Sequence, residues 1–97
     1  MKHILFLISI FLFVSCYKKP TASFSWSPAN PKAGDLVTFS NYSTNGKKYD
    51  WNLGNMKISS EVEPVTVYDQ AGEYVVDLTA YNGTKSDKTT QTVIIIP

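Results

Sequence analysis

The stretch GEYVVDLTAYN, Gly72 to Asn82, alternates too regularly to be anything but a strand. Tyr74, Val76, Leu78 and Ala80 fall on one side of a two-residue repeat; Val75, Asp77, Thr79 and Tyr81 fall on the other. Successive side chains of a strand point to opposite faces, so the first set is read as buried. The same period recurs in shorter runs. ASFSWSP places Phe24 and Trp26 on one face and stops at Pro28, LVTFSN pairs Val37 with Phe39, and YDWNL aligns Tyr49, Trp51 and Leu53. MKIS, VTVY and KTTQTVIIIP complete the set, and the apolar run in the last leaves its register open. PANPKAGD, Asn45-Gly46, Gly54-Asn55 and Asn82-Gly83 separate these runs with residues that tolerate positive φ or cannot extend a ladder. Helical periodicity is absent. About seven short strands with regularly spaced turns predict an all-β, antiparallel sandwich.

The N-terminus follows a different logic. Lys2 and His3 precede an apolar run, Ile4 to Val14, interrupted only by Ser9 and ending at Ser15-Cys16. A helix crossing a bilayer needs about 20 apolar residues, roughly twice this run, so a cleaved export signal is expected. LFVSC resembles the bacterial lipobox: Ser15 and Cys16 match, Val14 is acceptable, and Phe13 stands where Leu is usual. That resemblance implies a diacylglycerol thioether on Cys16 and cleavage before it. A thioether also accounts for a single cysteine in an oxidising compartment. Residues 1–15 are then a signal peptide, 16–21 a lipid-anchored tether and 22–97 the domain, with no residue after Pro97 in this sequence. Six extended residues span about 20 Å, which keeps the domain near the bilayer. Tyr17, Lys18 and Lys19 are expected among the headgroups. The location this implies is the bacterial cell envelope, on a periplasm-facing outer membrane, with surface display as the alternative.

Composition removes several functions. Without Met1 to Ser15 the chain has no His, no Arg and no free thiol, and eight Lys balance eight Asp plus Glu. No basic stripe remains for nucleic acid. A His/Cys metal set and a Ser-His-Asp triad cannot be assembled, and no cofactor is expected. Acid–base chemistry would need a carboxylate pair, for example Asp50 with Glu61, or Glu61 with Glu63. Acidic residues spaced singly along strands are read instead as solvated faces, and the chain as a non-enzyme.

YDWNLGNM, Pro64, VYDQAGEYVVDLTAYN and the closing Val/Ile strand together resemble the polycystic-kidney-disease (PKD) domain family. Trp51 and Gly54 match its Trp-Asp-Phe-Gly-Asp-Gly hallmark, Asn52, Leu53 and Asn55 are near substitutions, and Met56 replaces the final Gly. Tyr68, Gly72, Tyr74, Val76 and Leu78 match the second half, Val37 and Phe39 the early strand. The resemblance implies an immunoglobulin-like sandwich with Phe39, Trp51, Tyr68, Gly72 and Tyr74 as its structural core. Gly72-x-Tyr74 has the form of a tyrosine corner. Asn at both hallmark carboxylate positions weakens any calcium role, and Met56 is expected to reshape that turn.

Function follows from this only in outline. A non-catalytic protein-interaction or assembly module close to the membrane is expected, docking an envelope protein. Val75, Tyr81 and Ile94 share the outward parity of the last two strands and are the candidate patch. A glycan-binding module, with Tyr42 and Trp26 stacking on sugar, is the alternative; a passive spacer is the third. Asn41-Tyr-Ser43 and Asn82-Gly-Thr84 have the form of glycosylation sequons but are read as turns.

Overall fold

The computed structural model describes residues 17–97. Cys16 and the leader before it, with the lipid and cleavage sites read from them, lie outside the described residues. Seven strands follow in order: β1 (Phe24–Ser27), β2 (Leu36–Asn41), β3 (Lys48–Asn52), β4 (Ile58–Ser59), β5 (Val65–Val67), β6 (Gly72–Asn82) and β7 (Lys85–Ile95). They form two sheets, β1-β2-β5 and β4-β3-β6-β7, with every pairing antiparallel. The chain is an all-β immunoglobulin-like sandwich.

The alternating rows meet between the sheets. Val37 and Phe39 of β2 face Trp51 of β3, Val76, Leu78 and Ala80 of β6, and Val93 and Ile95 of β7, all essentially inaccessible to solvent. Phe24 stands edge-on to Trp51 at 5.1 Å between ring centroids, and Phe39 lies 5.5 Å from Trp51. The Trp51 indole N–H donates to the Glu61 carbonyl at 2.9 Å, so its one polar atom is satisfied inside the core. Val93 and Ile95 face inward and Ile94 outward, which fixes the register of the last strand.

β7 starts at Lys85, earlier than the β-branched run suggests, and pairs with β6 along its whole length. Its first half turns Asp87, Thr89 and Gln91 toward the opposing sheet. Two of these polar groups satisfy the start of β1 and the segment leading into it. Gln91 Nε2 donates to the Phe24 carbonyl at 2.6 Å, and the Ala22 N–H donates to Asp87 Oδ2 at 2.8 Å.

Residues 17–21, expected as an extended tether, instead lie along the sandwich. Pro20 is fully buried, Thr21 pairs with Thr44, and Asn82 Nδ2 donates to the Lys18 carbonyl at 2.9 Å. The Tyr17 ring covers Gly83 so closely that a Cβ there would come within 2.6 Å of it. Each extended backbone group that finds a partner removes one reason to remain solvated.

Because Trp51 touches both sheets and its indole is bonded, Trp51→Ala is expected to lower unfolding free energy by about 3–5 kcal/mol. Urea denaturation followed by tyrosine fluorescence measures it; a loss under about 1 kcal/mol would show that the core does not depend on this ring.

Candidate functional site

The hallmark turn is built as a brace. Asn52 Oδ1 accepts the Gly54 N–H at 3.1 Å, an Asx turn that reverses the chain after β3. Gly54 takes φ +81° and lies so near β6 that a Cβ would meet the Val75 carbonyl oxygen at 2.6 Å. Asn55 Nδ2 donates to Thr66 Oγ1 at 3.0 Å and the Val67 carbonyl at 3.3 Å, tying the turn to β5 of the other sheet. Asn55 Oδ1 is buried without a protein partner. Among the described residues no three His, Cys, Asp or Glu converge. Met56 holds φ +67° and is fully exposed, so it takes the left-handed step that a glycine takes easily.

A second brace follows β5. The Tyr68 hydroxyl donates to the Leu53 carbonyl at 2.6 Å across the two sheets, and burial pushes its pKa up to about 12, with neighbouring Tyr74 adding to the shift. Tyr74 is half-buried against Tyr68, and its hydroxyl donates to the Gln70 carbonyl at 2.7 Å. A phenol bonded four residues upstream at the start of a long strand is a tyrosine corner. Gly72, assigned to the core from the sequence, is exposed; it opens β6 opposite Ile95 and contributes backbone alone.

The predicted patch residues do not form one surface. Val75 and Ile94 are exposed and diagonal to each other near one end of the β6–β7 ribbon. Tyr81 lies six residues along β6 from Val75, about 20 Å at the strand rise. The neighbouring Asp50 carboxylate holds the pKa of Tyr81 above the ordinary value. Tyr42 is exposed on the β2–β3 connection, whereas Trp26 packs on Phe24 and Phe39 and is not free to stack on a sugar. The two sequon asparagines are engaged through their amides, Asn41 with the Val62 carbonyl and Asn82 with Lys18. Of the carboxylates singled out from the sequence, Asp50 neighbours Tyr81 and Glu63 Oε2 accepts the Asn41 N–H.

Two concavities flank β4. One, of about 560 Å³, lies on the outer face of the four-stranded sheet, where Asp50, Asn52, Asp77, Thr79 and Lys88 present polar groups beside Ile58. Asp77 is already committed, to Thr90 Oγ1 at 2.6 Å and to Lys88 Nζ at 3.6 Å. The other, of about 390 Å³, separates the edge strands β4 and β5, and its wall mixes Leu36, Leu53, Ile58, Pro64, Val65 and Val67 with Lys57, Ser59, Glu61 and Thr66. Leu36 is 62 % exposed, Ile58 82 % and Val65 46 %. β5 carries an inverted pattern: Thr66 faces inward beside Pro64 and Tyr68, and both valines face outward. Sequence reasoning missed this edge; the adjacent apolar pair Leu36-Val37 and the VTV triplet were its only signals.

Paired sheets, a core tryptophan and a tyrosine corner define the immunoglobulin-like class. The chain belongs to the PKD domain family, whose profile matches residues 21–95. The PKD1 domain of Vibrio anguillarum Epp is similar at 31 % identity and a TM-score of 0.70, over 84 % of this chain and 99 % of that one. The PKD1 domain of the Vibrio cholerae metalloprotease PrtV is similar at 29 % identity and a TM-score of 0.69, over 82 % and 100 %. A structure of carbohydrate-binding modules from the β-sandwich superfamily shares the fold at 24 % identity and a TM-score of 0.75, over 82 % of this chain and 35 % of that one. No curated protein sequence matches the chain. PKD domains are generally non-catalytic binding modules.

The braces make two measurable statements. An unfolded phenol ionises near its ordinary pKa, and the Tyr68 phenol only near 12, so the unfolded state sheds its proton first as pH rises. Stability is therefore whole below pH 10 and falls between 10 and 12, by on the order of 2 kcal/mol. Tyr68→Phe should flatten that decline while costing about 1–3 kcal/mol at neutral pH, because the Leu53 carbonyl loses its donor. Met56→Gly should raise stability by about 0.5–1 kcal/mol by relieving the left-handed strain, part of the gain being offset in the unfolded chain. Urea midpoints across pH read both effects.

Proposed function

We propose that the chain is a non-catalytic docking module of a bacterial envelope lipoprotein, anchored through Cys16 and engaging a neighbouring envelope protein at the β4/β5 edge. The aliphatic side chains Leu36, Ile58 and Val65, exposed together round the cleft, carry this reading, because water-exposed apolar groups clustered at a concavity are costly unless covered. The edge favours side-chain insertion over strand addition. β4 has two residues, and the Val67 carbonyl of β5 is already bonded by Asn55, so little ladder is left to extend.

A glycan-binding reading has its own observation, the polar concavity over Asp50, Asn52, Asp77 and Thr79. Direct recognition of a sugar there competes with the bonds Asp77 already makes, and no free aromatic ring floors the site. The protein reading is therefore preferred.

The acylated chain purified from native membranes is expected to carry a stoichiometric envelope protein. Leu36→Asp with Ile58→Asp should release it while the melting curve stays within a few degrees of wild type. Lys88→Ala, which opens the polar concavity, should leave it bound. Saturable binding on a glycan array, abolished by Lys88→Ala and untouched by the edge variant, would replace this reading with the glycan one. Mass spectrometry of the same material tests the anchor: a chain starting at Cys16 with a lipid mass increment is expected, and an intact leader would refute it.

A further inference from the structure

We propose that the end of the sandwich from which residues 17–21 emerge is a membrane-facing surface that binds anionic lipid headgroups. Three connections meet at this end. The β6–β7 hairpin turns at Gly83, the β2–β3 connection turns at Asn45-Gly46, and Thr21 pairs with Thr44 beside them. Lys47 donates its backbone N–H to the Tyr81 carbonyl, and Lys48 pairs with Tyr81, which brings the two turns side by side.

Charge and aromatic residues collect here. Lys18, Lys19, Lys47, Lys48 and Lys85 are all exposed at this end, although they are distant in sequence. Among the described residues the only ion pair is Lys88 with Asp77, so none of these five is neutralised by a bonded carboxylate. Three carboxylates lie near them, Asp87 accepting the Ala22 N–H, Glu63 accepting the Asn41 N–H, and Asp50, so five lysines against three acids leave this end with an excess of positive charge. The opposite end carries Lys32 and Lys57 against Asp35, Asp69 and Glu73. Two exposed tyrosines, Tyr17 at 47 % and Tyr42 at 63 %, stand among the five lysines. Lysine reaches phosphate while tyrosine rings settle at the headgroup level, the pairing that interfacial segments use.

Position decides what occupies the surface. Cys16 and the apolar stretch Ile4 to Val14 immediately precede Tyr17 in the sequence. Tyr17 to Thr21 is fastened to the sandwich by the Lys18 carbonyl, buried Pro20 and the Thr21 bridge. A chain anchored at residue 16 thus has almost no free tether, and this end is the one held against the bilayer. The domain then sits upright, its strands rising away from the lipid. That setting rests on the anchored-lipoprotein reading, whereas the headgroup binding does not.

Residues 17–97 contain the whole core, and relatives of this extent were solved as isolated domains, so this segment can be used without Cys16. It is mixed with sedimenting vesicles of phosphatidylglycerol and phosphatidylethanolamine, or of phosphatidylcholine alone. Binding to the anionic vesicles is expected, with little to the neutral ones, and it should fall as salt rises to about 1 M, where the Debye length shrinks to about 3 Å. Each lysine near the surface is worth about fivefold, so Lys47→Gln, Lys48→Gln and Lys85→Gln together should weaken binding about 100-fold. Lys32→Gln with Lys57→Gln, at the far end, should change it less than about twofold. The proposal is overturned by absent binding, by equal binding to neutral vesicles, by salt-independent binding, or by a triple variant that binds like wild type. An unmodified Cys16 with intact vesicle binding would remove the anchor and leave this surface standing.

Discussion

The sandwich depends on one ring. Trp51 sits in the middle of β3, receives Phe24 and Phe39 from the opposite sheet, and spends its indole N–H on the connection between β4 and β5. Apolar contact alone would allow the two sheets to slide, since burial is non-directional. The bond to the Glu61 carbonyl and the Tyr68 bond to the Leu53 carbonyl are directional, and both link elements of different sheets or their connections. Between them the register of β4 and β5 is pinned. That pinning holds the edge cleft open, because its walls are the two strands so fixed.

The hallmark turn adds a third directional tie, made here by asparagines where the family pattern has aspartates. A carboxylate can only accept, whereas the Asn55 amide donates to Thr66 and Val67. Amide chemistry suits a brace between two neutral backbone partners. It leaves the Asn55 oxygen buried without a protein partner. The substitution that weakens a cation site in the sequence thus has a positive structural use.

Much of the fold was legible because its core rows obey strict alternation: Val37 and Phe39, then Trp51 and Leu53, then Val76, Leu78 and Ala80 are all buried as their spacing predicts. What escaped the sequence breaks the correlation between polarity and direction. Asp87 and Gln91 read as solvent residues, yet they face the other sheet to satisfy the backbone of Ala22 and Phe24, more than 60 residues away in the chain. Thr66 faces inward for the same kind of reason, and its valine neighbours are pushed outward. The docked segment at Tyr17 to Thr21 was equally hidden, because its partners Asn82, Gly83 and Thr44 come from remote turns. The candidate surface was poorly legible because parity assigns a face but not a position along a strand. Val75, Tyr81 and Ile94 share parity, and Tyr81 stands at the far end of the ribbon.

In the anchored arrangement proposed above, upright placement on a membrane would give the remaining surfaces distinct neighbours. The strands run between the lysine-rich end and the end bearing Asp35, Asp69 and Glu73, so the β4/β5 edge lies on the flank rather than on either tip. A flank cleft on an upright domain opens sideways, parallel to the bilayer, within a few nanometres of the headgroups. Partners that are themselves anchored share that narrow layer, and confinement raises their effective concentration without any added contact energy. A modest cleft would then meet its partner at a higher effective concentration than it would in solution. The short, fastened N-terminal segment is what makes the geometry hold, since a flexible tether would average the cleft over all directions and forfeit that gain.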